Sequence, residues 1–110
     1  MSSKLLIILA TGEKQKALTG LMYANNAIKR GWMDSVQIVF FGPSQQLIVQ
    51  DDEVASAFNE ISTSIQPVAC KAISDRDGFS SDLEKLGFQV EYVGSIISNL
   101  INEGYIPMVW

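Results

Sequence analysis

Apolar and polar positions along the chain switch repeatedly between two periods. Lys4 to Ala10 is a continuous apolar run, the pattern of a strand buried on both faces. Thr11-Gly12 breaks it. From Glu13 to Lys29, the residues Ala17, Leu18, Leu21, Met22, Ala24, Ala27 and Ile28 recur at three-to-four spacing, which predicts a helix that Gly31 terminates. Ser35 to Phe41 is rich in β-branched and aromatic residues and predicts a second strand, stopped by Gly42-Pro43. Gln46 to Val49 fits one short helical turn. Asp51 caps a helix running to about Thr63, with Val54, Phe58 and Ile61 on one stripe.

Pro67 to Ala72 predicts a third strand. A helical stretch then begins at Ser74 or Asp75, is interrupted by Gly78, restarts at Ser80 or Ser81 and runs through Leu86, with Gly87 closing it. Gln89 to Val93 is a fourth strand. Gly94-Ser95 opens a helix to about Glu103, and Tyr105 to Val109 is a fifth strand. Strands separated by helices imply parallel pairing with right-handed crossovers. The expected fold is α/β: one domain spanning residues 1–110, a three-layer α/β/α sandwich around a five-stranded parallel sheet. No linker, internal repeat or low-complexity segment interrupts it.

Composition narrows the function. Apolar residues make up 47% of the 110 and charged ones only 18%, which excludes a disordered chain. So small a domain leaves about a third of its unfolded surface exposed. An apolar excess of this kind points to a homo-oligomer, because large apolar patches seldom stay wet. Met108, Val109 and Trp110 are expected to be buried in the sheet or between subunits. The net charge is −4 with the basic residues scattered, so the stripe that a nucleic-acid binder needs is missing. No apolar run approaches the roughly 20 residues of a membrane span. Lys4 to Ala10 reads as a strand rather than a leader. A lone cysteine implies no oxidising compartment, and a cytoplasmic location is the default expectation.

Several chemistries fall away. The chain has no histidine, which removes Ser-His-Asp and Cys-His pairs and the usual zinc and iron ligands. There is no P-loop, no Gly-x-Gly-x-x-Gly after the first strand and no Cys-x-x-Cys. Asp51-Asp52-Glu53 is an acidic cluster, as is Asp75 with Asp77, but helix starts favour acids and that reading comes first. Thr11-Gly12-Glu13-Lys14 is a strand-to-helix corner. It reads first as a tight turn and second as a cradle whose N–H groups would hold an anion.

Cys70 remains. One reading is a buried structural cysteine, since free cysteine packs like a small hydrophobe and Val68-Ala69 beside it look like core. The other starts from its position at the carboxyl end of a strand, next to a helix start, where ligands and reacting groups sit in open α/β folds. Free N–H groups there favour thiolate. Lys71 adds a cation, useful only if the strand has ended at Cys70, since neighbours on a strand point to opposite faces. Without a histidine or second cysteine, such a thiolate has three fates: reversible capping such as a persulfide, oxidation, or none.

The segments Val68-Ala69-Cys70, Ser81-Asp82-Leu83-Glu84, Val90-Glu91-Tyr92-Val93-Gly94-Ser95-Ile96 and Glu103-Gly104-Tyr105-Ile106 together resemble the DsrE/DsrF-like (TusD-type) sulfur-relay family. The resemblance covers most of the C-terminal half. It implies a five-stranded α/β/α domain, a trimer or hexamer, and a cysteine at position 70 that accepts sulfane sulfur and relays it to a protein partner. No cofactor is implied. Members often carry an Asn-containing polar stretch after that cysteine, where this chain has Lys71-Ala72-Ile73. The expected site is therefore Cys70, with Lys71, Thr11 and Gly12 as thiolate or anion support, and with sulfur donor and acceptor proteins as partners. The rival expectation is a non-enzymatic oligomeric module that binds an anion or small ligand at the Thr11-Gly12 and Cys70 corner, or an inert scaffold subunit.

Overall fold

A computed structural model of the chain describes residues 3–110. The chain runs β1 (Lys4–Leu9), α1 (Lys14–Lys29), β2 (Ser35–Phe40), α2 (Ser44–Gln50), α3 (Asp52–Ser62), β3 (Val68–Cys70), α4 (Lys71–Asp77), α5 (Ser80–Lys85), β4 (Gln89–Glu91), α6 (Val93–Asn102) and β5 (Ile106–Val109). All strand pairs are parallel, in the order β4-β3-β2-β1-β5. The expected α/β sandwich is thus present. The chain winds outward from β1 to β4 and then returns to lay β5 beside β1. Right-handed crossovers in opposite directions place their helices on opposite faces.

That reversal makes the two faces unequal. On one side, Leu5, Ile7 and Leu9 of β1 and Val36, Ile38 and Phe40 of β2 meet buried residues of α1, α2, α3 and α5. Phe40, Phe58 and Phe88 form its centre. Phe58 stacks on Phe88 at 4.8 Å, and Phe40 meets both edge-on at 5.5 and 4.9 Å. Such pairs add to what burial alone contributes. On the other side, Leu6, Val39, Val68 and Cys70 are covered by α6, through Val93, Ile96, Ile97 and Leu100, with Ile73 of α4.

Sequence and structure differ at element ends. β3 stops at Cys70 rather than Ala72, and α4 starts at Lys71 rather than Ser74. Ala72 and a Lys71–Asp75 pair one turn apart support the earlier start. β4 ends at Glu91, with α6 beginning at Val93. α2 is a full two turns instead of one. At the chain end, Met108 and Trp110 pack against the α1-side core, and Val109 is 65% exposed on the α6 side of the single chain. β5 is an edge strand, and alternation sends Val109 to the face that α6 leaves uncovered.

Candidate functional site

The carboxyl ends of the strands are tied together by two buried polar side chains. α2 follows β2 so closely that Ser44 and Gln45 lie inside the protein. Ser44 donates its N–H to the Ala10 carbonyl at 3.1 Å and its hydroxyl to the Leu9 carbonyl. Gln45 accepts from the Gly42 N–H at 3.1 Å and donates through Nε2 to the Cys70 carbonyl at 2.9 Å. A Cβ on Gly42 would lie 2.8 Å from the Ala10 carbonyl oxygen, and its φ of 141° suits glycine alone, so β2 turns hard against the end of β1. Neither Ser44 nor Gln45 stood out in the sequence. The available signal was helical spacing, which puts Gln45 on the same face as the apolar Ile48.

Cys70 ends β3 and is the N-cap of α4. Its side chain lies in the α6-side cluster with Leu6, Val39, Val68 and Val93, and the residue is 5% exposed. It is a free thiol. Two helix starts carry carboxylate caps: Glu13 at α1 accepts from Gln15 and Lys16 N–H, and Asp51 at α3 from Glu53 and Val54 N–H, while α2, α5 and α6 have no side-chain cap. At α4 no side-chain oxygen takes that role.

Lys71 meets the geometric condition set for it, because the strand has ended, yet its ammonium is engaged elsewhere. Nζ sits 2.8 Å from Asp75 Oδ2, and this pair holds the Lys71 amine above its ordinary value and the Asp75 carboxyl below its own. Asp75 also accepts from Ser80, whose hydroxyl lies 2.7 Å from that of the buried Ser74. Arg76 is paired with Asp77, the chief reason its guanidinium is held above its ordinary value, with a smaller electrostatic contribution from Cys70.

Thr11 and Gly12 follow β1, and β2 lies between that strand and β3. Their corner is closed on itself. Ala10 and Thr11 N–H both donate to the Trp110 carbonyl, at 2.8 and 3.1 Å, and Glu13 N–H donates to Thr11 Oγ1. The carboxylate of Glu13 occupies the helix-start N–H groups that an anion would use. Gly12 does line a shallow cleft of about 260 Å³, but with Pro43, Gln46, Leu47 and Gln50, and not with Cys70. The structure therefore separates the two corners that the binding-module expectation joined.

Asp51 with Glu53 acts as a helix start. Lys14 reaches Glu53 at 3.0 Å and Asp51 at 3.1 Å and pins α1 to α3. No cluster of three metal-ligating side chains occurs among the described residues, and none of their helices is long and apolar enough to cross a membrane.

Compared with known proteins, the chain matches no family model and no curated sequence. Among solved structures it is similar to a conserved protein of unknown function from Bacteroides thetaiotaomicron, with a TM-score of 0.90 and 27% identity, covering 98% of this chain and 95% of that one. The likeness extends over the whole fold, and that protein's description supplies no chemistry.

Proposed function

We propose that the protein is a cytoplasmic sulfur carrier of the DsrE/DsrF-like relay type, in which Cys70 holds sulfane sulfur as a persulfide and passes it to a protein acceptor. The observation that supports this reading is the place of the chain's single thiol, at the carboxyl end of β3 and at the one junction where a strand runs straight into a helix, with no side-chain cap. In uptake, the Cys70 thiolate attacks the outer sulfur of a donor persulfide. A new S–S bond forms as the donor's S–S bond breaks, and the donor leaves as a thiolate. Transfer repeats the exchange with an acceptor thiolate as nucleophile, leaving Cys70 as a thiolate. Each step balances without an external oxidant or reductant. Lys71 would assist only after releasing Asp75. Assembly as a trimer or hexamer belongs to the same reading, through the strip that α6 leaves uncovered.

The test is intact mass after treatment with polysulfide. Wild type is expected to gain about 32 Da per sulfur atom on Cys70, reversed by a reducing thiol, and Cys70→Ser to gain nothing. A Cys70→Ser protein that takes up labelled sulfane sulfur as well as wild type overturns the proposal.

A second reading, an oligomeric binding or scaffold module, is favoured by one observation. Cys70 is 5% exposed and packed among apolar side chains, the setting of a structural cysteine. An unmodified thiol under polysulfide, in a protein that still self-associates, selects this reading over the carrier.

A further inference from the structure

Among the described residues only Ser44, Gln45 and Ser74 are fully buried polar side chains. Gln45 is the costliest of them to bury, because an amide removed from water must be paired at both ends. Its two bonds reach different loops, one to Gly42 N–H and one to the Cys70 carbonyl. The second bond lies where the sheet is weakest. Register between β2 and β3 covers only Val39 with Val68 and Phe40 with Ala69, and stops one residue short of Cys70. On its other side Cys70 pairs with Glu91 of β4, a three-residue edge strand. Beyond the end of the β2–β3 register, the side-chain amide of Gln45 supplies a bond from α2 to the Cys70 carbonyl.

We infer that Gln45 is a latch: its bond to the Cys70 carbonyl holds the β3–α4 corner against α2 and keeps the Cys70 thiol closed, and breaking that bond exposes the thiol without unfolding the domain. Gln45 acts through the backbone of Cys70 and is a positioning residue. The latch deepens the carrier reading by naming what governs access to its thiol, but its test needs no sulfur transfer. Edge strands and short helices with few buried contacts are the elements that open sub-globally in native proteins, and α4 and β4 are both of that kind. Ser44 provides the internal contrast, since it ties α2 to β1 and makes no bond to the Cys70 corner.

The experiment is the rate at which the thiol reacts with dithionitrobenzoate under native conditions, in wild type, Gln45→Leu and Ser44→Ala, each corrected for its global stability in urea. Gln45→Leu keeps the volume and loses both amide bonds. It is expected to react about tenfold faster than wild type after correction, the effect of one lost buried hydrogen bond on a local opening. Ser44→Ala is expected to match wild type after the same correction. Equal corrected rates for wild type and Gln45→Leu overturn the latch. Should Gln45→Leu fail to fold, the wild-type protein decides. Hydrogen exchange of the α4 amides and the thiol reaction must then report one shared opening, smaller than that of β1; a thiol that reacts only through global unfolding overturns the latch. A reactive, opened thiol that takes up no sulfane sulfur overturns the carrier reading and leaves the latch standing.

Discussion

The two faces of the sheet are built from the same kinds of residues and end in different states. The α1 side is covered by four helices, and its aromatic trio is almost wholly out of water, although Ile106 at its β5 edge stays 65% exposed. The α6 side has one ten-residue helix and Ile73 of α4 for the same five strands, which cover Val39, Val68 and Cys70 but leave Val109 at 65% and Phe41 at 41% exposed. The difference follows from winding: three crossovers go one way and only the last goes the other. The first face therefore carries stability. The second holds the chain's one thiol and the exposed side chains of Val109 and Phe41.

The comparison predicts unequal responses to mutation. On the sealed side, Phe58→Ala removes a ring that packs on two others and should cost about 3–5 kcal/mol in urea unfolding. A loss below about 1 kcal/mol would show that the sealed face does not dominate stability. Gly20 of α1 sits under the Trp110 indole, where a Cβ would come within 2.9 Å of Cγ and 3.0 Å of Leu9 Cδ1. Gly20→Val should therefore lose about 1–3 kcal/mol through overpacking, read in the same assay.

On the open side the effect moves from stability to assembly. Phe41→Ser with Val109→Ser should change unfolding by no more than about 0.5 kcal/mol per site, since both side chains already meet water. Light scattering should find wild type as a homo-oligomer and the double variant as a smaller species. A monomeric wild type at micromolar concentration would remove the assembly half of the comparison.

The smallest effect is in pH. The Asp51 carboxyl is held below its ordinary value, first by the Val54 N–H and then by Lys14, and that of Asp75 first by Lys71. A depressed carboxyl contributes stability above its unfolded pKa and loses it as pH falls through the folded one, so these groups matter below about pH 4. Lys14 and Lys71 are raised by the same pairs, and their contribution fades only as pH rises beyond about 10. These pairs predict a plateau between those limits, and both are exposed enough for salt to flatten its edges. Asp51→Asn should soften the acid limb of a urea-midpoint profile; an unchanged limb would assign it to other carboxyls.

What was legible in the sequence was local. Asp51 as a helix cap follows from an acidic residue three positions before Val54, and the structure has that bond at 3.0 Å. The long apolar run of β1 announced a strand buried on both faces, and Leu5, Leu6, Ile7 and Leu9 are buried. The end of β3 was misplaced by two residues, because Ala72 and Ile73 suit either a strand or a helix and a tertiary bond from Gln45 acts at the boundary. Lys71 looked like a cation for Cys70; its actual partner, Asp75, is available only once the helix begins one residue after the thiol.

The sequence by itself determined the alternation of strands and helices, the single thiol and the absence of any histidine to assist it, because periodicity and composition need no partner segment. Tertiary structure alone decided the strand order, and with it the rest. The return of β5 to the side of β1 left one face covered by α6 and Ile73 of α4 alone. The placement of β2 between β1 and β3 separated Thr11-Gly12 from Cys70. The burial of Gln45 between two loops tied that thiol's backbone to α2. Each of these depends on contacts between residues far apart in the chain, where packing rather than local preference sets the outcome.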